Sequence, residues 1–197
     1  MKILSWNVRG LGGFVKRPEV RTLINEKNPS IVCIQETKLS VVDDVLCAAL
    51  WGIRTPSYSY RSAVGASGGL LIMWDSSIVE VWSTFSMEHA LSIHGRCTDT
   101  DDEFHLFNIY APCDNGTKQL VWDSLSERLQ LLVGNNFCLC GDFNAVQGME
   151  EKRSRGAAIQ SFDCGPYNNF IDNNGGPSVA RSKLYLVQGT WEFHESY

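Results

Sequence analysis

The sequence predicts an α/β fold in which two packed, mixed sheets are flanked by helices. Strand and helix patterns alternate in about the first 50 residues, strands follow one another in the middle, and a helix and a strand follow them. Apolar residues make up 44% of the chain and charged residues 20%, which is typical of a globular protein rather than a disordered one. We expect one domain over residues 1–197.

The N-terminal elements are marked by local signals. Pro18 suits the first turn of a helix, because its missing N–H would have no partner there. Asn28-Pro29 ends that helix before an apolar strand. The patterns predict strands at Lys2–Arg9 and Ser30–Gln35 and helices at Pro18–Glu26 and Val41–Leu50.

The middle of the chain is rich in β-branched and aromatic residues between turn residues, which is typical of antiparallel strands. After it, apolar residues recur at near-helical spacing. No regular pattern continues beyond Asn174. The predicted strands are Ser57–Arg61, Gly69–Trp74, Ile78–Phe85, Ala90–Arg96, Phe104–Tyr110 and Asn136–Cys140, and the predicted helices are Thr117–Val133 and Ala158–Asn173.

Charge and cysteine content exclude several classes of protein. The net charge of −5 argues against a protein that holds nucleic acid by bulk charge, so any such contact must be local. The candidate cations are Arg9, Lys16, Arg17, Lys38 and the run Lys152-Arg153-Ser154-Arg155, with a solvated loop as the alternative. The seven cysteines include no Cys-x-x-Cys pair, so neither a disulfide framework nor a zinc ribbon is indicated. With no apolar leader or span either, we expect an intracellular, non-secreted protein without membrane contact.

Polar groups stand where the predicted strands end. Asn7, Glu36, Tyr110 and Asp142 each follow an apolar run. Ligands favour the edge of a sheet where strands end, so we expect these groups to gather there.

Four motifs occur in a fixed order: Trp6-Asn7-Val8-Arg9-Gly10, Gln35-Glu36-Thr37-Lys38, Asn108-Ile109-Tyr110-Ala111-Pro112 and Gly141-Asp142-Phe143-Asn144. The set resembles the endonuclease/exonuclease/phosphatase superfamily, which implies a four-layer α/β sandwich. Within it, Ser5 to Gly12, Gly68-Gly69-Leu70 and the Gly-Asp-Phe-Asn run are most similar to the endonuclease domain of plant LINE-type, non-LTR retrotransposons. The resemblance implies a DNA-nicking phosphodiesterase, nuclear action, and a reverse transcriptase domain that these 197 residues do not contain.

The resemblance also assigns a metal ligand. Glu36 is a hard oxygen ligand of the kind that binds Mg²⁺, and its family counterpart binds the metal, with Asn7 beside it. Mn²⁺ is a possible substitute for Mg²⁺. From the sequence alone, Glu36 is equally well a strand-end carboxylate exposed to water.

The resemblance gives catalytic roles to three further residues. It implies that Asp142 positions or deprotonates the attacking water, that Asn144 binds phosphate, and that Tyr110 offers a phenol near the scissile phosphate. Asp142 and Asn144 would point to the same side of an extended segment, but Gly-Asp-Phe-Asn is also a good turn.

Three residues are candidates for binding the substrate beside Asn144. Asn7 would donate its amide to a phosphate oxygen or to Glu36, or else cap the turn toward Gly10. Arg9 and Lys38 are the adjacent cations that would hold phosphate.

The chain departs from the family near its end. Family enzymes carry a late strand with an Asp and then a Ser-Asp-His run whose His contacts the scissile phosphate, and the sequence contains no Ser-Asp-His. Arg181–Trp191 is similar to the late strand without its Asp, and His194 lacks the flanking Ser-Asp. We therefore expect a domain that is incomplete at its C-terminus, lacks the last strands of the sandwich and has impaired activity. The alternative is an inactive remnant that only binds nucleic acid or protein weakly.

The histidines outside these motifs are predicted to be structural. His89, His94 and His105 lie in or beside strands, and none has metal-ligand spacing with a cysteine.

Overall fold

The structure, a computed structural model, describes residues 1–13, 15–52, 55–65, 67–132, 134–145, 165–175, 184–187 and 189–192. Ten strands and four helices lie in these ranges. The strands are β1 (Lys2–Asn7), β2 (Ile31–Gln35), β3 (Ser57–Val64), β4 (Ser67–Trp74), β5 (Val79–Ser86), β6 (Ala90–Cys97), β7 (Glu103–Tyr110), β8 (Phe137–Asp142), β9 (Leu184–Val187) and β10 (Gly189–Glu192), and the helices are α1 (Lys16–Lys27), α2 (Asp44–Trp51), α3 (Asn115–Gln130) and α4 (Gly165–Gly175).

The strands form two five-stranded mixed sheets. Sheet A has the order β10-β1-β2-β4-β3, and sheet B has the order β5-β6-β7-β8-β9. In sheet A, β1 and β2 are parallel and the other pairs are antiparallel. In sheet B, β7, β8 and β9 run parallel. The parallel pairs β1–β2 and β7–β8 carry the polar strand ends that the sequence analysis singles out.

Alternation along the strands builds the four layers. On β8, Cys138 and Cys140 face the core between the sheets, while Phe137 and Leu139 face α3 and α4. In sheet A, residues such as Leu4 and Ile34 pack instead against α1 and α2. Because successive strand residues point to opposite faces, each sheet is covered on both sides, as predicted for a four-layer sandwich.

Side chains fix the ends of two helices. Asp43 accepts a hydrogen bond from the backbone N–H of Leu46 at 2.8 Å, so it caps the start of α2. Asp114 does the same for α3, where Thr117 N–H donates at 2.7 Å. Both caps stand directly after loops that lead out of the strand ends.

A buried polar network joins the two sheets under those strand ends. Gln35 Nε2 donates to Asn108 Oδ1 at 2.6 Å, and Asn108 Nδ2 donates to the carbonyls of Ile34 at 3.0 Å and Leu71 at 3.1 Å. Gln35 and Asn108 are 1% and 0% exposed, so each polar atom needs these partners. The network therefore fixes how sheet A sits on sheet B.

Most of the predicted elements are confirmed with shifted ends, including the most regular helix, which spans Asn115–Gln130 rather than Thr117–Val133. The prediction that no regular pattern continues beyond Asn174 was wrong, because β9 and β10 pair with β8 and β1. Short strands such as Leu184–Val187 depend on their neighbours in the sheet for stability, which a local pattern does not show. The predicted helical residues 158–164, the basic run Lys152–Arg155 and His194 lie outside the described residues.

Candidate active site

The polar strand ends meet at one edge of the sandwich. Asn7 lies opposite Gln35 in the register of the parallel pair β1–β2, one residue before Glu36. Tyr110 lies opposite Asp142 in the parallel pair β7–β8. Because both parallel pairs end on the same side of the molecule, the edge collects two carboxylates, an amide and a phenol, as the sequence predicts.

Asn7 and Asp142 are in direct contact. Asn7 Nδ2 donates to Asp142 Oδ2 at 2.6 Å, and this contact joins sheet A to sheet B. The amide oxygen of Asn7 accepts from the backbone N–H of Arg9 at 3.1 Å. Asn7 thus caps its turn, as one alternative had it, and its amide donates to Asp142, an acceptor that the sequence analysis did not name.

The segment from Asp142 to Asn144 is a turn. The other oxygen of Asp142 accepts from the backbone N–H of Asn144 at 3.0 Å, and Asn144 has a φ of +46°. Of the two alternatives that the sequence left open, an extended segment and a turn, the chain forms the Asp-capped turn. With both carboxylate oxygens accepting hydrogen bonds, the Asp142 side chain is held in one orientation.

Glu36 stands between a cation and a phenol. Lys38 Nζ lies 3.0 Å from Glu36 Oε1. Burial raises the pKa of Tyr110, and the negative charges of Glu36 and Asp142, together with a hydrogen bond to Glu36, raise it further. The phenol therefore keeps its proton at neutral pH and can donate a hydrogen bond to an anionic group.

The backbone at this edge is strained. Arg9, Glu36, Lys38 and Asn144 all have positive φ angles, between +46° and +56°, in the region that residues with a Cβ seldom adopt. Such conformations cost energy and persist where the surroundings enforce them, which is frequent at functional sites.

Gly68 and Gly69 hold the loop that carries Glu36. The backbone N–H groups of Thr37 and Lys38 donate to the carbonyls of Gly69 at 3.1 Å and Gly68 at 3.0 Å. A Cβ on Gly69, whose φ is +85°, would collide with Thr37 Oγ1. The Gly-Gly pair therefore permits the close approach that positions Glu36.

Lys118 is a site residue that the sequence analysis missed. It is buried on α3, and its Nζ donates to the backbone carbonyl of Asn144 at 2.7 Å. Asn144 Nδ2 in turn donates to the carbonyl of Ala111 at 2.6 Å. Lys118 therefore clamps the turn that follows Asp142, and its position on an amphipathic helix gave no sign of this role.

An open groove lies beside these side chains. It has a volume of about 420 Å³, and Tyr110, Arg61, Gly69 and His89 contribute to its walls. Arg61 on the groove wall and the exposed Arg9 and Lys38 supply cations at this end of the molecule, beside the carboxylates of Glu36, Glu88 and Asp142. The arrangement suits an extended anionic ligand that passes over Tyr110.

The donor set at this edge suits a hard divalent cation. The side chains of Glu36 and Asp142 offer carboxylate oxygens, and Mg²⁺ is typically held by one or two carboxylates together with waters and substrate phosphate. A cationic group, Lys38 Nζ, already stands against Glu36. Because 39% of the Lys38 side chain is exposed, it can move toward solvent and leave the carboxylate to a metal.

The sequence model of the Endonuclease/Exonuclease/phosphatase family matches residues 4–184, which is most of the chain. This chain belongs to that family. The matched range includes Asn7, Glu36, Tyr110 and Asp142.

Individual relatives agree with this assignment. The chain is 28% identical over 155 residues to Recombination repair protein 1 of Drosophila melanogaster, with 73% of this chain and 22% of the relative covered. It is 28% identical over 179 residues to the DNA repair nuclease APEX1 of Danio rerio, with 79% and 53% covered. The chain thus spans about half of APEX1 and less of the Drosophila protein.

The fold is shared with solved structures of the family. An AP endonuclease from Leishmania major, LMAP, superposes with a TM-score of 0.69 at 17% identity and covers 92% of this chain and 70% of its own. At this identity the likeness establishes the fold only.

The longest described helix, α3, has 16 residues, and no described helix is both long and apolar enough to cross a membrane.

Proposed function

We propose that this chain is the nuclease domain of a retroelement-type enzyme, a metal-dependent phosphodiesterase that nicks one strand of DNA. The observation that carries the proposal is the contact between Asn7 and Asp142, which joins two motifs from different sheets into one site beside Glu36 and Tyr110. Family membership supports phosphodiester chemistry, and the relatives named as DNA repair proteins favour DNA as the substrate.

In this proposal Asp142 orients or deprotonates the attacking water. Its two oxygens accept from Asn7 and from the Asn144 backbone, and each keeps a second lone pair for a water proton. A carboxylate that is fixed by hydrogen bonds can hold water in line with the scissile bond without further reorganisation. Asn7 is then a positioning residue for Asp142 as well as a candidate ligand of the metal.

Tyr110 and the nearby cations act on the phosphate. The protonated phenol of Tyr110 can donate to a phosphate oxygen or to the leaving oxygen. Arg9 and Lys38, both exposed at this edge, can pair with phosphates on either side. Asn144 Nδ2 donates one hydrogen to the carbonyl of Ala111, and its second hydrogen is the one that could bind a phosphate oxygen.

The metal is proposed to be Mg²⁺, with Mn²⁺ as a substitute. Nucleases of this family depend on a divalent metal. Glu36 is the proposed main ligand, with Asn7 beside it. When bound, the ion would neutralise charge on the phosphate and stabilise the leaving oxygen.

The retroelement assignment is supported by the first motif and by the Gly68-Gly69 pair. Ser5 to Gly12 and Gly68-Gly69-Leu70 are the parts of the sequence most similar to plant LINE-type endonucleases. Both segments contact the backbone of Thr37, next to Glu36: Leu11 N–H donates to the Thr37 carbonyl, and Thr37 N–H donates to the Gly69 carbonyl. A reverse transcriptase domain on the same protein and action in the nucleus follow from this assignment.

One observation favours a second candidate, a non-catalytic module that binds nucleic acid or protein. The sequence contains no Ser-Asp-His, the run whose histidine contacts the scissile phosphate in the resembled enzymes. Loss of such a group lowers the rate by about two to four orders of magnitude. The chain would then keep the phosphate-binding edge and lose turnover.

Nicking of supercoiled plasmid by the purified chain tests the proposal. We expect Mg²⁺-dependent conversion to the open-circular form, loss of nicking in EDTA, and loss in Glu36→Gln and Asp142→Asn. Glu26→Gln is the matched control, because Glu26 is an exposed carboxylate on α1. An abasic duplex and an inositol phosphate serve as further substrates, so that a repair-type nuclease or a phosphatase is distinguished from the proposed enzyme.

The outcomes separate the two candidates. Nicking that both site variants abolish and Glu26→Gln retains supports the nuclease. No turnover by a folded chain, together with DNA binding that Glu36→Gln leaves unchanged, supports the binding module. Preferential hydrolysis of the inositol phosphate would contradict both.

A further inference from the structure

Two histidines and a glutamate form a cluster on the outer face of sheet B. His94 on β6 and His105 on β7 are directly opposite each other in the strand register. Their rings stack with centroids 4.0 Å apart and planes 9° from parallel. Glu103, two residues before His105 on the same face of β7, places its Oε1 2.7 Å from His94 Nε2. We call these three residues the His-His-Glu cluster.

The cluster is separate from the candidate active site. Ile93 and Leu106, the neighbours of the two histidines along their strands, face the core between the sheets, so the histidines point away from sheet A. Tyr110 ends β7 five residues after His105. At the rise of a strand this is about 16 Å.

One donor atom from each of the three residues lies within 4.8 Å of the donor atoms of the other two, and no other such group of three is found in the described ranges. Zn²⁺ bonds of about 2.0–2.1 Å require donors about 3.3 Å apart. Binding one ion therefore requires side-chain rotations that draw the donors together and tilt the two imidazole rings out of their stacked arrangement.

The His105 ring has no hydrogen-bond partner within the part of the chain that the structure describes. Its backbone N–H donates to the carbonyl of Asn136. His105 is 8% exposed, so most of its ring is covered, while its ring nitrogens keep some contact with solvent. An imidazole nitrogen without a protein partner is available to an ion.

The cation opposite Glu103 in the strand register is engaged with other carboxylates. Arg96, opposite Glu103 in the register, binds Glu80 at 2.8 Å and Asp101 at 2.5 Å instead of Glu103. The carboxylate of Glu103 is thereby left to His94. Trp82 stands edge-on to the His94 ring, with centroids 5.0 Å apart, and shields one side of the cluster from water.

We propose that His94, Glu103 and His105 form a zinc site, distinct from the catalytic metal site. Two imidazole nitrogens and one carboxylate oxygen on neighbouring strands are a donor set that Zn²⁺ accepts, with a fourth position left for water or an anion. The soft-to-borderline nitrogens favour Zn²⁺ over Mg²⁺, which prefers oxygen ligands. The sequence gives no sign of this site, because strand register rather than a Cys or His spacing brings its ligands together.

Arg128 on α3 limits the affinity. It lies close enough to His105 to act on it electrostatically, and its guanidinium carbon stands 4.8 Å from the Phe85 ring. The buried Nε of Arg128 has no acceptor among the described residues. Its positive charge opposes a bound cation, so Arg128→Gln is expected to tighten zinc binding, which an adventitious site elsewhere would not show.

Zinc binding by the full 197-residue chain, measured by calorimetry in millimolar Mg²⁺, tests the proposal. The Mg²⁺ is added to compete with zinc for the candidate active site. We expect one strongly bound zinc per chain and a higher melting temperature, because a ligand that binds only the folded state stabilises it. His94→Gln and His105→Gln should each weaken binding by more than about 10-fold. His89→Gln, a half-buried histidine away from the cluster, is the matched control.

Every outcome bears on the proposal. Glu103→Gln is included because this side chain is 51% exposed and its loss should leave the fold intact even if the histidine variants unfold. Weaker zinc binding in Glu103→Gln, with unchanged binding in His89→Gln, supports the site. Zinc binding that is unchanged in the folded His94, Glu103 and His105 variants, or no zinc binding by the wild-type chain, overturns it.

Discussion

The Asn7 amide donates to the Asp142 carboxylate across 2.6 Å, although the two residues are 135 positions apart in the chain. Asn7 ends a strand of sheet A, and Asp142 ends a strand of sheet B. The geometry of the proposed active site therefore depends on how the two sheets pack. A change that lets the sheets slide would separate Asn7 and Glu36 from Tyr110 and Asp142.

Asn7→Ala should impair function far more than stability. The substitution frees one oxygen of Asp142 and removes the bond that turns it toward the site, so we expect nicking to fall by about 100-fold. The contact is only partly buried, so the free energy of unfolding should fall by about 1 kcal/mol. Plasmid nicking and urea unfolding measure the two effects.

Asn136→Ala is the control for Asn7→Ala, because exposed Asn136 makes a single long side-chain bond, 3.4 Å to the carbonyl of Glu103. We expect it to nick at the wild-type rate. Equal losses of activity in the two variants, or an Asn7→Ala chain that nicks normally, would contradict the positioning role. A Mg²⁺-dependent rise in melting temperature gives a second measurement that needs no turnover.

Gly69→Ala should disturb the Glu36 loop more than Gly68→Ala. Both glycines have positive φ angles, +77° and +85°, so both substitutions carry a backbone cost of about 1 kcal/mol. A Cβ meets nothing within 4 Å at Gly68 but collides with Thr37 Oγ1 at Gly69. We expect Gly69→Ala to lower the melting temperature further and to weaken Mg²⁺ binding. Equal effects of the two substitutions on melting temperature and Mg²⁺ affinity would show that Gly69 is needed only for its φ angle.

The sequence was sufficient for the features that repeat locally. Apolar runs located the strands, and the polar residues after them, Asn7, Glu36, Tyr110 and Asp142, located the edge where the site forms. Helix α3 followed from its apolar spacing, because an amphipathic helix carries its burial pattern in its own residues. The family motifs fixed the order of these elements, which periodicity alone leaves open.

Features that depend on distant partners were missed. In the sequence, Lys118 is one of several polar residues of α3. The packing of α3 on sheet B brings its amine to the Asn144 carbonyl. The His94–His105 pair likewise depends on the register of β6 and β7, which hydrophobic patterning does not specify to the residue.

Tyr58 makes stability sensitive to alkaline pH. Its hydroxyl donates to Asp44 at the start of α2, and this bond, helped by burial, raises the pKa of Tyr58 to about 12. The folded pKa lies above the unfolded value of about 10. The contribution of Tyr58 is therefore fully present below pH 10 and is lost as the pH rises toward 12.

Urea unfolding at pH 8 to 11.5 checks this expectation. Wild-type stability should fall more steeply above pH 10 than that of Tyr58→Phe, which cannot ionise. Tyr60→Phe, on the same strand and the same face, is the control and should follow the wild-type curve. Parallel curves for wild type and Tyr58→Phe would mean that the Asp44 contact does not form in solution.

Asn108→Ala should be among the most destabilising single changes in the chain. Asn108 is fully buried. Its Oδ1 accepts a hydrogen bond from Gln35, and its Nδ2 donates to the carbonyls of Ile34 and Leu71. Its loss removes one hydrogen bond from each of the Ile34 and Leu71 carbonyls and from Gln35 Nε2, which keeps Ser5 Oγ and the Cys33 carbonyl as acceptors. A buried polar group that is left unsatisfied costs about 1–3 kcal/mol before relaxation or entry of water. We expect urea unfolding to show that the free energy of unfolding falls by about 3–5 kcal/mol. We also expect Mg²⁺ binding to be lost at urea concentrations below those that unfold the chain, because the network holds the two halves of the site together. A loss below about 1 kcal/mol would show that the sheets pack without this network.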